Sequence, residues 1–339
     1  MASIIEMPEL VLEKIIEFSD LKAVLTLRQV CRDFRNFIDD LKDSKLPDSK
    51  FAQIEIISDK DEKKITFDLV GPDDSFYHFE YSEINNSRSF NGKITNMANL
   101  KIVDVAIQDL EWILKFQKSN LQRLYFHFDD FQLQTESSIH TLPIKLSNMF
   151  NASGRKIKTR ELSIKTYHQS QLTPILPIAD PEALKIIDLF RLETEIDMEI
   201  EIDEIVKSEQ WKKAKEMNCD FHVVNLKVED ICHFSRYRVQ SNTISARDLD
   251  FLKKAITSSS KFEYSWLAVN IFNENEEIFN LWGPAYLSGS SSLWYFRIKD
   301  SEENILVIDI QQVYNHIYFD VIETRNVPNR AIVHDYNEN

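Results

Sequence analysis

From Pro8 to Leu41 apolar residues recur every three or four positions, which is a helical period. Pro8 suits a first helical position, where its missing N–H costs nothing. Val11, Ile15 and Phe18, with Leu12 and Ile16 beside them, make the apolar stripe of a first helix. Ser19 and Asp20 interrupt it and can cap a second. Two interleaved heptad rows follow: Val24, Cys31, Ile38 and Leu27, Phe34, Leu41. Such rows form the seam of a helix that packs lengthwise on others. A module of about forty residues rarely buries this much apolar surface alone, so part of it is expected to meet another chain or the next domain.

Leu46-Pro47-Asp48-Ser49 ends the helical region, and the period then drops to two. Phe51–Ile57, Lys64–Val70 and Phe76–Tyr81 read as strands of a β-meander, divided by a charged turn and by Gly71-Pro72-Asp73-Asp74. From about residue 100 a loose L-x-x-L-x-L pattern repeats. It is seen at Leu100, Val103, Val105; at Leu121, Leu124, Phe126; and at Leu184, Ile187, Leu189, with half-copies at Leu162-x-Ile164 and Met217-x-Cys219-x-Phe221. Helices are expected between some copies, over Ile202–Met217 and over residues 245–257. The tail returns to strands at Trp294–Ile298, Ile305–Ile310 and Ile317–Ile322. Strand plus helix at such spacing is the mark of a leucine-rich-repeat-like solenoid, here with irregular steps. The expected fold class is α+β / α/β: three N-terminal helices, then an irregular leucine-rich-repeat-like α/β domain with flanking β-strands.

Only five glycines occur, at 71, 92, 154, 283 and 289. None is spaced as phosphate-cradling loops require, which closes the Rossmann, P-loop and protein-kinase readings. The net charge of −15, from 40 basic and 55 acidic residues, repels nucleic-acid backbones and anionic membrane surfaces, so neither is expected as a partner. Part of the excess is the run Glu193, Glu195, Asp197, Glu199, Glu201, Asp203, Glu204 and Glu209, either a solvated face or a site for a basic partner. Three scattered cysteines suit a reducing compartment, and the first residues lack the features of a signal peptide. The uncharged stretch Ile278–Phe296 holds Asn280, Gly283, Pro284, Gly289 and four serines, so it is no spanning helix. An intracellular protein, cytoplasmic or nuclear, is expected.

The eight histidines are dispersed, and no H-E-x-x-H, C-x-x-C or G-x-S-x-G occurs. Cys219, His222, Cys232 and His233 have a composition that would suit zinc. Their spacing does not, because residues three apart on a strand face opposite ways and adjacent residues diverge. Buried cysteines and structurally satisfied histidines are expected there instead, with no metal and no cofactor. His127 with Asp129 and Asp130 is a weaker cluster still. Trp112, Trp211, Trp266, Trp282 and Trp294 sit among apolar residues and are expected mostly in the core. No catalytic constellation is present, and no enzymatic activity is expected.

Two blocks carry a family resemblance. Met7-Pro8, Val11, Leu12, Ile15, Ile16, then Val24, Leu25 and Val30-Cys31-Arg32-Asp33-Phe34-Arg35, resemble an F-box without a gap. Leu10 and Ser19 depart from its pattern, standing where members often have an acid and an apolar residue. Downstream, Asp203-Glu204-Ile205, Glu209-Gln210-Trp211-Lys212-Lys213-Ala214-Lys215, His233-Phe234-Ser235-Arg236-Tyr237, Ser245-Ala246-Arg247-Asp248-Leu249, Phe262-Glu263-Tyr264 and Trp294-Tyr295-Phe296-Arg297-Ile298 resemble the FTH domain that follows the F-box in a large nematode-type family. The expected organisation is an F-box over 1–46, a connecting β-meander over 51–90 and an FTH domain over 91–325.

The resemblance implies a substrate receptor of a Skp–cullin–F-box ubiquitin ligase. The three-helix F-box would bind a Skp-type adaptor through Pro8, Val11, Ile15, Leu25, Val30, Cys31 and Phe34, and the FTH domain would capture an unknown target protein. On the repeat strands the leucine positions face the core and the alternate positions face outward. The candidate target surface is therefore Arg123, Tyr125, His127, Ser163, Lys165, Asp188, Phe190, Asn218 and Asp220. Two other readings stand beside this one: an interaction module whose F-box no longer recruits a ligase, and an enzyme on a solenoid scaffold.

Overall fold

The computed structural model describes residues 7–97, 100–129, 137–192 and 198–336. Residues 1–6, Asp130, and Glu193, Glu195 and Asp197 of the acidic run lie outside the described residues. The chain forms two compact units, Met1–Arg160 and Glu161–Asn339, so the division falls inside the 91–325 span.

Three short helices open the first unit: α1 (Glu9–Glu17), α2 (Leu21–Val30) and α3 (Arg32–Asp40). Each boundary has a local cause. The Ser19 hydroxyl donates to the Ile15 carbonyl at 2.6 Å and ends α1. Asp20 accepts the Ala23 N–H at 2.6 Å and starts α2. Cys31 takes an extended conformation (φ −156°, ψ 170°) between α2 and α3. Leu12, Ile16, Leu21, Val24, Phe34 and Ile38 close the small core of this module.

The meander follows as β1 (Gln53–Asp59), β2 (Lys64–Val70), β3 (Phe76–Ser82), β4 (Ser87–Phe90) and β5 (Lys93–Asn96), all paired antiparallel in chain order. Helix α4 (Ile102–Leu114) then crosses over, and β6 (Leu121–Phe128) returns parallel to β1. Helix α5 (Leu142–Ser153) completes the unit and stops at Gly154, whose φ of 61° is the left-handed cap that favours glycine. Registers align Phe79, Phe67, Ile56 and Phe126 in one buried row across four strands.

The first expected repeat, at Leu100, Val103 and Val105, is not a strand but lies at the start of α4. In six residues of L-x-x-L-x-L the last two apolar positions fit a period of two and the first two a helical period, and so short a segment does not decide between them. The buried set Ile102, Val103, Val105, Ala106, Leu110, Ile113 and Leu114 continues only at helical spacing, and that decides it. Polar contacts fasten the chain around the end of the helical module. Lys118 Nζ donates to the carbonyls of Ser44 (3.1 Å) and Leu46 (2.5 Å). The Arg28 guanidinium forks onto Asp39 (2.7 and 2.9 Å) and lies 4.7 Å from the Trp112 ring of α4. Asp48 accepts N–H groups of Lys50 (3.1 Å), Lys118 (3.0 Å) and Ser119 (3.3 Å), together with the Ser119 hydroxyl.

The second unit opens with β7 (Thr159–Thr166) and α6 (Gln169–Ile175). Next come β8 (Ile186–Arg191), β9 (Glu199–Ile200), α7 (Glu209–Lys213), β10 (Glu216–Val223), β11 (Arg236–Thr243), α8 (Ala246–Thr257) and β12 (Tyr264–Ile271). Strands β7, β8, β10, β11 and β12 lie side by side and parallel, with β9 beside the end of β10. After α9 (Asn275–Trp282) the chain adds β13 (Tyr286–Ser288), β14 (Ser291–Arg297), β15 (Asn304–Gln311), β16 (His316–Glu323) and β17 (Val333–His334). Strand β16 pairs antiparallel with β12, and a meander runs back through β15 and β14 to β13, with β17 beside β14. The sheet is thus parallel on one side and antiparallel on the other, an α+β arrangement.

The helix expected over Ile202–Met217 shrinks to α7. The Ser208 hydroxyl accepts the Trp211 N–H at 3.2 Å and sets a start there, while Ala214 is already extended and Glu216 begins β10. Helix α8 begins at a reciprocal capping box between Ser245 and Asp248. Among the described residues no helix is long and apolar enough to cross a membrane.

Two expected outcomes test this description. Lys253 is 1% exposed, with Nζ 2.9 Å from Asp250 and over the rings of Phe296 (5.0 Å) and Trp282 (5.9 Å). Asp250→Ala leaves that ammonium without its carboxylate and is expected to cost about 3–5 kcal/mol in urea unfolding, with most of the loss recovered when Lys253→Met is added. At Asp48 burial pulls the carboxyl pKa up, but the Ser119 hydroxyl and the N–H groups of Lys118, Lys50 and Ser119 outweigh it and hold it below the ordinary 3.8. A depressed carboxylate stabilises the fold above its unfolded pKa and loses that contribution as pH falls through the folded value. Asp48→Ala should therefore lower stability by about 1–2 kcal/mol at neutral pH. The gap to wild type should close in acid unfolding titrations below the ordinary carboxylate range.

Candidate functional site

Helix α1 carries two apolar stripes, and the structure separates them. Leu12 and Ile16, four apart, face the module's core. Val11, Ile15 and Phe18 form the other stripe, and it faces outward: Val11 is exposed, Ile15 half-buried, and Phe18 84% exposed with Lys14 Nζ 5.8 Å from its ring. Pro8 is exposed at the N-cap, where its carbonyl accepts the N–H groups of Val11 (2.8 Å) and Leu12 (3.2 Å). Leu25 is half-buried, and Val30, at 63% exposed, stands with exposed Cys31 at the junction of α2 and α3. Phe34 is different. At 3% exposed it is a core residue of the module and offers a partner almost no surface. Met7 and Leu10 belong to the outward surface and were not among the expected contacts; Leu10 is 65% exposed. Their signal was present, since the apolar positions of α1 exceed what one buried stripe can hold.

In the first unit Arg123, Tyr125 and His127 alternate along β6 with buried Leu124, Phe126 and Phe128. The Arg123 guanidinium lies 5.2 Å from the Tyr125 ring, and Tyr125 meets His127 edge-on at 6.3 Å. Burial first, and then the Glu55 carboxylate opposite it, raise the Tyr125 phenol above its ordinary pKa, so the ring stays neutral.

In the second unit strand registers place Ser163, Asp188, Asn218, Arg238, Trp266, Tyr318 and Asp309 in one row across seven strands. The parallel buried row is Leu162, Ile187, Met217, Tyr237, Ser265, Phe319 and Ile308. Helix α9 covers that second face further along, where Trp282 packs 5.5 Å from Trp294 and 5.7 Å from Phe296. The outer row is not uniformly open. Ser163 and Asp188, expected to face outward, are buried in a polar chain: the Ser163 hydroxyl donates to Asp188 at 3.2 Å and the Asn218 amide donates to it at 2.6 Å. Lys165 and Phe190 are neighbours in the next row and half-buried. Asp220 is also half-buried; burial lifts its pKa against the pull of Arg238 and Arg191.

The most aromatic part of this face lies beyond the expected residues. The Arg238 guanidinium is 4.9 Å from the Trp266 ring, whose other neighbour is His316 at 5.1 Å. Tyr318 stands opposite Trp266, and Tyr264 opposite Asp320. Trp266, expected in the core, is half-buried on the outer face, unlike buried Trp211, Trp282 and Trp294. Strict alternation along Arg236, Arg238, Gln240 and along Tyr264, Trp266 marked these positions.

The Cys and His side chains of the 219–233 cluster sit in different surroundings. Burial pushes the Cys219 thiol up to about 12 and also raises Cys232. A bulge between Cys219 and His222 breaks the strict alternation of β10 and buries both. His233 Nε2 lies 3.0 Å from the Trp211 carbonyl, and burial lowers its pKa. Among the described residues no group of three or more His, Cys, Asp or Glu could hold a metal ion.

Comparison with known proteins gives these surfaces a context. The F-box domain family model matches residues 4–46, and the FTH domain family model matches residues 144–281. The chain is 20% identical over 172 residues to F-box A protein 224 of Caenorhabditis elegans, a match covering 48% of this chain and 44% of that relative, so it spans less than half the relative's length. No solved structure matches. The outward-striped helical module lies within the F-box match and the sheet with its aromatic outer face lies largely within the FTH match, so the chain carries an F-box domain followed by an FTH domain.

Proposed function

We propose that this chain is the substrate-recognition subunit of a Skp–cullin–F-box type ubiquitin ligase. Its F-box docks on a Skp-type adaptor, and through it on a cullin–RING assembly, while its FTH domain binds the target protein. The observation that carries the reading is the outward apolar stripe of α1, on a module that also exposes Val30. Val11, Ile15 and Phe18 on a helix that already buries Leu12 and Ile16 give a two-sided helix in a module too small to need both sides.

The chain contributes no bond-making chemistry in this reading and is not an enzyme. Holding a target beside a ubiquitin-loaded enzyme turns an encounter between separate molecules into one within an assembly, which raises effective concentration. The target surface is the outer face of the sheet strands. It combines aromatic anchors with charges of both signs, the composition of a protein-recognition patch. Parallel strands β7, β8 and β10 to β12 fit an irregular leucine-rich-repeat-like arrangement, and such proteins commonly bind along their strand faces. An assembly of this kind places the protein inside the cell, in the cytoplasm or nucleus.

Val11→Asp with Ile15→Asp puts charge into the proposed adaptor contact while leaving Leu12, Ile16 and Phe34 in place. The double variant should lose at least about 2 kcal/mol, roughly thirtyfold, in adaptor affinity. Co-purification with the adaptor at wild-type yield would refute the assignment. A wild-type chain that captures proteins but no adaptor would instead identify an interaction module outside any ligase.

On the target side, Tyr125→Ala, Phe190→Ala and Asp220→Lys together should remove captured partners, while adaptor binding, the folding control, stays intact. Retention of the full partner set by the triple variant, as read by mass spectrometry, would place recognition elsewhere.

A further inference from the structure

We propose that the β12–β16–β15 part of the outer sheet face is an arginine anchor, where a target protein lays one arginine side chain from an exposed segment. The inference rests on the reading of this face as the target surface and narrows it to one chemistry. Strand registers make a compact block there. Trp266 stands opposite Tyr318, Tyr318 opposite Asp309, and Tyr264 opposite Asp320. Their chain neighbours Ser265, Leu267, Ile308 and Phe319 are buried, so these five half-buried side chains share the other face.

Among the described residues neither Asp309 nor Asp320 is ion-paired. Asp309 accepts the Gln311 side-chain amide on Oδ2 at 3.1 Å, while its Oδ1, shielded from water, accepts no hydrogen bond. The soft χ2 torsion of an aspartate lets the two oxygens trade places toward the surface. Burial raises the Asp320 pKa, and what opposes it is a hydrogen bond from the Val321 N–H rather than a charge. Asp220, on the same face, differs, since Arg238 and Arg191 both pull its pKa down. Arg236 is likewise occupied, by Glu263 at 2.8 Å and Glu216 at 3.7 Å. The block thus sets two carboxylates without a cation beside three aromatic rings.

Spacing and ring chemistry select arginine. Asp309 and Asp320 are diagonal neighbours across an antiparallel pair, which sets them about 7–8 Å apart with Tyr318 adjoining both. A guanidinium has donors on both sides of a plane and bonds carboxylates at about 2.8 Å, so its fork can span the two while its plane rests on the Tyr318 ring. An ammonium has its donors on one nitrogen, spans less and does not stack flat. The face already shows the contact to be repeated, with the Arg238 guanidinium 4.9 Å from the Trp266 ring. Arg238 also sets a boundary, because its charge repels a second cation there and leaves the side toward β15 open. The chain's net charge of −15 draws a basic segment in, and the block then selects within it.

The test uses the full chain and a fluorescein-labelled dodecapeptide of four Gly-Ser-Arg repeats, read by fluorescence anisotropy at about 0.15 M salt. The citrulline counterpart, which keeps the shape and loses the charge, should bind at least about tenfold more weakly, and the lysine counterpart at least about threefold. Asp309→Asn with Asp320→Asn should weaken the arginine peptide about tenfold or more, and Asp320→Asn alone about threefold. Tyr318→Ala should also cost about threefold, which Tyr318→Phe, keeping the ring, should restore. The control pair Glu302→Gln with Glu303→Gln, exposed and equal in charge removed, should change binding less than about twofold. Equal losses in the two pairs, equal binding of the citrulline peptide, or no binding by the wild type would overturn the anchor. Equal binding of the lysine peptide would overturn its choice of arginine. A chain that binds the peptide but no adaptor upholds the anchor and refutes the ligase reading, whereas one that binds the adaptor but not the peptide does the reverse.

Discussion

The chemistry of the second unit's outer face depends on the period-two alternation of its strands. From Leu162 to Ile308 the registers bring seven residues into one buried row, and the intervening residues are thereby committed to the other face. A one-residue slip of β11 would set Arg238 against the core and lift Val239 out of it, and a slip of β12 would do the same with Trp266 and Leu267. Burying a large aliphatic side chain is worth about 1.5–3 kcal/mol, and burying an unpaired guanidinium costs several more. The core therefore selects the register, and the register selects which side chains are available to a partner. Ser163, Asp188 and Asn218 fit the same rule, since a polar chain that satisfies itself can sit at a crowded stretch of the outer face.

A different constraint governs the F-box. Six core residues are few for three helices, and the module is steadied by polar fastenings to the rest of its unit. Arg28 spans Asp39 and Trp112, Lys118 and Asp48 lock the chain beyond α3, and Gln117 both accepts from Phe51 N–H (2.9 Å) and donates to its carbonyl (3.3 Å). Because these contacts hold the helices without using the outer stripe of α1, that stripe stays uncovered. An apolar stripe with no structural duty is what a docking surface requires.

Most strands and the N-terminal helices were legible because their periods extend over enough residues to be unambiguous. The misreadings come from segments too short to decide between two periods. Val103 and Val105 fit a strand and Leu100 and Val103 a helix, and only the run as far as Leu114 decides between them. On α1 the apolar residues were visible, but the pattern alone could not tell Val11 and Phe18 from Leu12 and Ile16 as the inward pair, because that depends on what packs against the helix. Phe34 was assigned a contact by resemblance, and burial returns it to the core. Trp266 shows the converse. A tryptophan in an apolar stretch reads as core until strand pairing puts Arg238 and His316 against its ring. Long-range pairing is the information a linear pattern lacks.

The two proposed surfaces differ in ways that match the lifetimes their roles require. The F-box stripe is apolar and almost free of charge, with Lys14 lying along Phe18 at its edge. Binding there gains mainly from desolvation, responds little to salt, and suits a partner that stays bound. The sheet face sets aromatic rings among Arg236, Arg238, Asp220 and Asp320, where electrostatic matching speeds encounter and discriminates between partners more than it deepens affinity. A receptor that must release each target after modification gains from that second character on one surface and from the first on the other. In the proposed role, exchanging the two would give a subunit that loses its adaptor before its substrate.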